Sequence, residues 1–349
     1  MNTERRRRIL AALVEEYIRS AQPVGSKVLV ERYELGCSPA TVRNELAILE
    51  ETGYVFQPHV SAGRVPTDVG YREYVDAMSP TSRSLSRDDI SAIHDRFVHG
   101  ATEIGDLMRD TACLLSRLTS YVAVVLTPAA SAARIRKVDL VSLAPRRALV
   151  VVITDTGQVL NRMIDLEAEA TGDDLRVVES ALNHALDGTL AEHVRLRREG
   201  LTLDAVRAAL AARVMDEVVD CLMEADRARV RQAGTASLLE QPEFAGADSL
   251  RPLMALLEDG VALLETLSGV MRDSGVVVRI GHENPRDDLG NVSLVAANYG
   301  GGGESEGIVG VIGPTRMNYP RAIASVRAVS DGLTDALGEP ARDEDRGRA

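Results

Sequence analysis

CSPATVRNELAILEETGY, the stretch from Cys37 to Tyr54, has the pattern of a short, well-capped helix. Ser38 can accept a hydrogen bond from an N–H group of the first turn, and Pro39 suits the first helical position because no N–H is needed there. The apolar residues recur at helical spacing and predict a buried stripe: Val42, Leu46 and Leu49. Gly53 follows and is typical of a helix end. The stretch therefore predicts a helix with one face anchored in a core.

The opposite face of this helix is small and polar. With a step of about 100° per residue, the residues away from the buried stripe are Ala40, Arg43, Asn44, Ala47 and Glu51. A helix that enters the major groove of DNA needs small residues for close approach and polar side chains that bond to base edges. The pattern predicts DNA contact by residues of the first two turns: Ser38, Ala40, Thr41, Arg43 and Asn44. The alternative is an ordinary solvated face behind a good cap.

The segments on both sides of this helix predict the rest of a winged helix-turn-helix. Two helical patterns come before it, from Glu4 to Arg19 and from Lys27 to Glu34, and a turn with proline and glycine separates them. After it, YVFQPHV and RVP have the pattern of two short strands joined by the turn SAG, and Thr67 can cap a further helix. Three helices followed by a hairpin are the order of that motif. The predicted DNA-binding domain spans residues 1–78.

Basic residues near this helix are candidates for phosphate contact. Arg64 follows the SAG turn and is predicted to contact phosphate or the minor groove, whereas His59 precedes the turn and either packs within the wing or contacts DNA. Arg5 to Arg8 fall in the first turn of the first helix, where the helix dipole disfavours cations. An external anion such as phosphate would offset that cost. A solvated run of charge is the alternative.

Charge and composition do not exclude a nucleic-acid partner. The 349 residues carry a net charge of −12, but residues 1–78 hold 10 Lys and Arg against 11 Asp and Glu, so the acidic excess lies elsewhere. Phosphate contact needs only a local cationic face. No run approaches the roughly 20 apolar residues of a membrane span, and the three cysteines are not spaced for zinc or a disulfide framework. We expect a cytoplasmic protein without a membrane partner, metal or cofactor.

The remaining sequence predicts strands, then helices, then strands. Apolar or alternating runs between Tyr121 and Leu166 predict a four-strand sheet region, and strand patterns return after Gly275. This order indicates an α/β fold of several domains, in which a mostly helical segment is inserted into an α/β domain. The predicted divisions are a linker at 79–89, an α/β domain at 90–166 and 276–340, an inserted segment at 167–275 and a disordered tail at 341–349.

Signals for catalysis are weak. GHENP, Gly281 to Pro285, contains His282 and Glu283 but lacks the HExxH spacing of a zinc protease and follows a predicted strand. YGGGGESEG is rich in glycine, but a strand rather than a helix N-terminus follows it. No pair of nucleophile and base stands out. We therefore predict that the protein is not an enzyme, and a metalloenzyme is the least supported class.

Three stretches resemble the HrcA family of heat-inducible transcription repressors. They are SPATVRNELAILEETGYVFQPHVSAGRVPTDVGYREYVD at residues 38–76, VLTPAASAARIRKVDLVSLAPRRALVVVITDTGQVLNRMIDL at 125–166, and GIVGVIGPTRMNYPRAIASVRAVSDGL at 307–333. The resemblance implies a winged-helix domain, a GAF-like α/β domain and a dimerisation domain inserted in the latter. It also implies that the DNA-contacting role belongs to Ser38, Ala40, Thr41, Arg43, Asn44 and, in the wing, Arg64. Pro39 departs from the pattern, which has a small polar residue there.

The resemblance further implies a function and partners. The family represses class I heat-shock operons, which encode the chaperonin and the DnaK chaperone set, by binding an inverted-repeat operator called CIRCE. A palindromic site suits a two-fold homodimer in which each subunit contacts one half-site. The GroEL chaperonin helps the repressor reach its active form. The alternative is a metabolite-responsive regulator, because GAF-like sheets often enclose ligands.

Overall fold

The structure is a computed structural model that describes residues 2–78, 85–98, 104–130, 133–227, 229–268, 275–300 and 307–338. Its helices are α1 (Asn2–Ser20), α2 (Ser26–Arg32), α3 (Pro39–Glu51), α4 (Asp68–Asp76), α5 (Arg87–Val98), α6 (Ile104–Thr119), α7 (Gly172–Leu186), α8 (Ala205–Arg227), α9 (Ala247–Glu258), α10 (Gly260–Ser268) and α11 (Tyr319–Gly338). Its strands are β1 (Val55–Phe56), β2 (Val65–Pro66), β3 (Val122–Leu126), β4 (Ile135–Ala144), β5 (Arg147–Thr154), β6 (Val159–Asp165), β7 (Val230–Ala233), β8 (Val276–Ile280), β9 (Val292–Tyr299) and β10 (Gly307–Pro314). This mixture confirms an α/β fold class.

The N-terminal unit, residues 2–78, consists of α1 to α4 and a small hairpin. α1 packs against α3 and α4, and their apolar stripes meet in one core that includes Ile9, Leu13, Val42, Leu46 and Leu49. β1 and β2 pair antiparallel, with Val55 opposite Pro66 and Phe56 opposite Val65. The predicted buried stripe of α3 is confirmed, and the predicted helices and hairpin occur in the expected order.

A five-stranded antiparallel sheet forms the centre of the second unit, which also contains α5, α6, α9, α10 and α11. Its strand order is β7-β3-β10-β9-β8. Side chains of alternating strand residues enter two different cores, one shared with α6 and α11 and the other with α9 and α10. Because both faces of the sheet are covered, its strands are nearly continuous apolar runs, and all of β3 is buried.

A three-stranded antiparallel sheet, β4-β5-β6, forms a third unit with α7 and α8. These two helices cover one face of the sheet, and the strands alternate buried and exposed residues accordingly. Such alternation is typical of a sheet with one solvated face. The third unit is therefore a layer of two helices on a sheet that is open on its other side.

The predicted four-strand region between Tyr121 and Leu166 is corrected by this topology. β3 pairs with β10 and β7, whereas β4 to β6 form the separate sheet. The physical difference lies in burial, because β3 is buried on both faces and the other three strands are buried on one face only. The segment at 167–275, predicted to be mostly helical, consists mainly of helices but also contains β7, which pairs with β3, and its helices α9 and α10 pack on the five-stranded sheet.

The predicted linker at 79–89 overlaps a helix. α5 begins at Arg87, and Ser86 caps it by accepting a hydrogen bond from the N–H of Asp89 at 3.1 Å. Residues 79–84 and the predicted tail at 341–349 lie outside the described residues. Of the helices that the structure describes, none combines the length and the apolar character needed to cross a membrane.

α4 joins the N-terminal unit to the second unit. The rings of Tyr71 and Tyr319 lie 5.8 Å apart between their centroids. Arg72 donates a hydrogen bond to the carbonyl of Val278 at 2.7 Å. Arg316, before α11, donates to the carbonyl of Ile18 at 2.7 Å. These contacts leave the outer face of α3 uncovered.

Candidate nucleic-acid interface

The start of α3 is built as the sequence predicts. The side-chain oxygen of Ser38 accepts a hydrogen bond from the N–H of Thr41 at 3.2 Å, and Pro39 occupies the first turn. The two hydroxyl oxygens of Ser38 and Thr41 lie 3.0 Å apart. The predicted cap is therefore confirmed. Pro39 departs from the family pattern, but the cap forms with proline at this position.

The five residues predicted to contact DNA from α3 lie together at its N-terminal end. Ser38, Ala40, Arg43 and Asn44 are exposed, and Thr41 is half-buried. Two small residues, Ala40 and Ala47, leave room beside the longer side chains. The surface can therefore approach another molecule closely while offering guanidinium, amide and hydroxyl groups for hydrogen bonding.

The four arginines near the start of α1, Arg5 to Arg8, have partners within the protein. These partners are Glu45 for Arg5 and Arg6, Glu73 for Arg7, and the carbonyl of Glu34 for Arg8. Because α1 begins at Asn2, only Arg5 falls in the predicted first turn and the other three lie in the second. Neither predicted arrangement, an external phosphate or a solvated run, describes this set. Carboxylates of α3 and α4 instead neutralise Arg5, Arg6 and Arg7.

Glu45 is the least expected member of this set. It is a carboxylate on the buried side of α3, only 5% exposed. Its Oε1 accepts hydrogen bonds from Nη2 and Nε of Arg5 at 2.6 and 3.2 Å, and its Oε2 accepts one from Nε of Arg6 at 3.1 Å. The hydrogen bond from Arg5 holds the pKa of Glu45 below its usual value, and Arg6 adds to this effect while burial opposes it.

The hairpin is fixed to the loop between α1 and α2. Val24 and Arg64 exchange two backbone hydrogen bonds, of 2.9 and 2.8 Å. Next to them, a Cβ on Gly63 would lie 2.4 Å from the carbonyl carbon of Val24, so only glycine fits there. The amide of Gln57 donates to the carbonyls of Val60 and Ala62 at 2.9 and 2.8 Å and thereby holds the tip closed.

The two predicted wing residues differ in their surroundings. His59 is exposed, next to Val60, which is 99% exposed at the tip. The guanidinium of Arg64 instead pairs with Glu50 of α3 at 2.8 Å, and its side chain is 18% exposed. Among the described residues, the Nε of Arg64 has no hydrogen-bond partner. The structure thus places His59 at the surface and ties Arg64 to α3.

Three residues of this region escaped prediction from the sequence: Glu45, Glu50 and Gln57. All three act through contacts with residues distant along the chain or across the hairpin, so helical spacing gives no direct signal for them. Only Glu45 could have been noticed from the local sequence. It falls three residues after Val42 and next to Leu46, so the helical period places a charged residue on a face that should be apolar.

The residues of GHENP join the units of the protein. Nδ1 of His282 lies 2.7 Å from the carboxylate of Asp68, and Glu283 pairs with Arg72. Asp68 and Arg72 both belong to α4. Within the described ranges, no group of three potential metal ligands is found. His282 therefore makes a hydrogen bond and Glu283 an ion pair at the contact between the N-terminal and second units.

Known proteins resemble this chain over nearly its whole length. A family model described as HrcA protein C terminal domain matches residues 105–323. The heat-inducible transcription repressor HrcA of Frankia casuarinae is 42% identical and covers 97% of this chain and 99% of its own. The repressor of the same name from Streptomyces avermitilis is 40% identical and covers 97% and 100%. These relatives are named as regulators of transcription rather than enzymes.

A solved structure shares the fold. It is a crystal structure of a hypothetical protein, 25% identical to this chain, with a TM-score of 0.68 and coverage of 95% of this chain and 98% of that one. The sequence relatives cover 97% of the chain, and the family model spans more than half of it. The chain belongs to the HrcA family of heat-inducible transcription repressors.

Proposed function

We propose that this chain represses heat-shock operons by binding DNA through residues 2–78, which act as a winged helix-turn-helix domain. The observation that carries the proposal is the exposed, small and polar face at the capped start of α3. In the major groove, Arg43 would pair with guanine and Asn44 with adenine, whereas Ser38 and Thr41 would meet a base or a phosphate. Val42, Leu46 and Leu49 hold the back of the helix in the core.

The hairpin is proposed as the wing. His59 lies at the exposed end of the hairpin, where it can reach the DNA backbone. Arg64 would contact phosphate by exchanging the carboxylate of Glu50 for a phosphate oxygen, which replaces one anion by another. The wing and α3 then meet adjacent parts of the same half-site.

The open face of the three-stranded sheet is the proposed dimer contact. Side chains on this face form apolar rows across the strands, such as Val141, Leu149 and Met163, which are paired in register. Val141, Leu143, Val159 and Met163 are all exposed in the single chain. An exposed apolar patch of this kind is typical of an interface between proteins. Two copies related by a two-fold axis would present two α3 helices to an inverted repeat.

The domain division follows the sheets. We propose that the five-stranded sheet with its helices is the GAF-like domain, and that the unit from β4 to α8 is the inserted dimerisation domain. Residues 167–275 were the predicted insert, but β4 to β6 share their core with α7 and α8. The resemblance to the family adds the CIRCE inverted repeat as the operator and the GroEL chaperonin as the partner that raises the fraction of active repressor.

A metabolite-responsive regulator is the second candidate. A cleft of about 680 Å³ lies between the N-terminal unit and the second unit, and its lining includes Tyr33, Arg117, Tyr121, Arg316 and Arg321. Both faces of the five-stranded sheet are covered by packed apolar side chains. A ligand would therefore bind in this cleft rather than within the sheet. Arg316 and Arg321 of its lining already pair with Glu243 and Asp89.

Titration of the full chain against operator DNA tests the proposal. The duplexes are a CIRCE-type inverted repeat and a scrambled duplex of the same composition, each at several salt concentrations, with and without purified chaperonin. The proposal expects tighter binding to the inverted repeat at every salt concentration and more active protein with chaperonin. Equal affinity for both duplexes would contradict it. A small molecule that shifts operator affinity, together with no effect of chaperonin, would favour the second candidate.

A further inference from the structure

The buried carboxylate of Glu45 lies directly beneath the face that is proposed to contact DNA. It follows Arg43 and Asn44 in α3, so it points about 100° away from Asn44 around the helix axis. Asn44 is exposed and Glu45 is buried, and both residues lie in the same turn of α3, so their directions are fixed relative to each other. Any rotation of α3 that moved Asn44 would also move this carboxylate.

Both oxygens of this carboxylate are occupied. Arg5 binds Oε1 and Arg6 binds Oε2, both from the N-terminal part of α1. Because two neighbouring guanidinium groups hold both oxygens of the carboxylate, they restrict the rotation of α3 about its axis as well as its distance from α1. An apolar side chain in the same place would lack these directional hydrogen bonds and would add only to the packing that Val42, Leu46 and Leu49 already provide.

The stability of the fold does not by itself explain this arrangement. Replacing a buried ion pair by apolar residues of similar volume is often neutral or stabilising. In addition, Arg5 lies at the end of the first turn of α1, where the helix dipole disfavours a cation. Two arginines that bind one buried carboxylate therefore indicate a requirement for orientation.

We propose that Glu45 is a positioning residue for DNA recognition. It fixes the rotation of α3 about its own axis by binding Arg5 and Arg6, and it contacts no DNA itself. The inference rests on the proposed function, in which the outer face of α3 contacts base edges. Discrimination between base sequences should then depend on Glu45, whereas general attraction to DNA should not.

Two substitutions separate positioning from folding in the full chain. Glu45→Leu keeps an apolar volume in the core and removes both ion pairs, and Glu45→Gln keeps the shape and part of the hydrogen bonding. The matched control is Glu73→Gln, which removes the ion pair of Arg7 with α4 at 2.9 Å and leaves α3 untouched. For each protein, the affinities for the inverted repeat and the scrambled duplex and the midpoint of thermal unfolding are measured.

The expected result is a selective loss of discrimination. In Glu45→Leu, the ratio of the two affinities should fall by about tenfold or more, the size of one base contact, with little change in affinity for the scrambled duplex or in the slope of affinity against salt. Glu45→Gln should restore part of the ratio, and Glu73→Gln should keep it. Thermal unfolding should show that each variant is folded at the temperature of the titration.

Two outcomes would overturn the inference. One is an unchanged affinity ratio in folded Glu45→Leu and Glu45→Gln. The other is a parallel loss of affinity for both duplexes that follows the unfolding midpoint, which would mean that Glu45 acts only through stability. If the wild-type chain itself does not discriminate between the duplexes, the proposed function fails before this inference is reached.

Discussion

At the scale of single residues, the N-terminal unit separates side chains that face outward from those that hold them in place. Arg43 and Asn44 are exposed, whereas the neighbouring Glu45 is buried in an ion-pair cluster with Arg5 and Arg6. The outward residues follow from the helical period and were predicted. The partners of Glu45 were not, because a contact between residues 5 and 45 depends on how two helices pack.

Arg43→Ala should weaken operator binding by about 1–3 kcal/mol and relax the preference at one base pair per half-site. The reason is the loss of a bidentate contact with a base edge. Titration against operators with single base changes measures this. Arg146→Ala, at an exposed position in the turn between β4 and β5, is the control and should bind as wild type does. Equal loss on all operators would show that Arg43 contacts only phosphate.

Glu45 should contribute to stability in a pH-dependent manner. Its pKa is lower in the folded chain than in the unfolded one, because Arg5 and Arg6 bind the ionised form. The contribution is therefore present at neutral pH and is lost as the pH falls through the folded pKa. In urea unfolding, any stability advantage of wild type over Glu45→Gln should shrink from pH 7 toward pH 3. Ala47→Ser on the same helix changes no titratable group and should show no such trend. An advantage that stays constant with pH would contradict the assignment.

At the scale of elements, local signals predicted helices well and sheet membership poorly. The cap, the proline and the apolar stripe of α3 all lie within one stretch of sequence, so its bounds could be predicted from that stretch. Strand pairing joins residues that are far apart, such as Leu126 with Val230 and Ile308. β7 forms only because β3 offers it an edge, and nothing in its four residues distinguishes it from the end of α8.

Ser38 tests the start of α3 as an element. Ser38→Ala should destabilise the chain by about 1 kcal/mol, because the N–H of Thr41 loses its partner. Ser38→Asp keeps a capping acceptor and should retain stability, but its negative charge would face the DNA backbone and weaken binding. Urea unfolding and operator titration of both variants separate the two effects. Operator affinity that is unchanged in Ser38→Asp would place the start of α3 away from the DNA.

At the scale of the whole molecule, the three units have different surfaces. The N-terminal unit exposes a small polar face, the five-stranded sheet is covered on both sides, and the three-stranded sheet leaves an apolar face open. The sequence predicted an α/β domain interrupted by an inserted segment, and that prediction assigned β4 to β6 to the α/β domain. The apolar pattern of a strand does not tell which helices pack on that strand, so the pairing of β4 to β6 with α7 and α8 could not be predicted. In the structure, these strands are buried on one face only, which distinguishes their sheet from the five-stranded one.

Met163→Asp should convert a dimer to a monomer. The new charge would lie in the row formed with Leu149 and Val141, where a second copy would bury it without a partner. Sedimentation equilibrium measures the assembly state. The control is Val177→Asp on α7, which places the same charge at an exposed apolar position on the helical side of this unit. A dimer that survives Met163→Asp would move the interface to another surface.

Titration of the wild-type chain against three duplexes tests the central claim most directly, namely that the chain binds an inverted repeat through two copies of α3. The duplexes carry an intact inverted repeat, one scrambled half-site, or two scrambled half-sites. We predict that the intact repeat binds at least about 10³-fold more tightly than the fully scrambled duplex at physiological salt, with the single half-site in between. Equal affinity for all three duplexes would contradict the account.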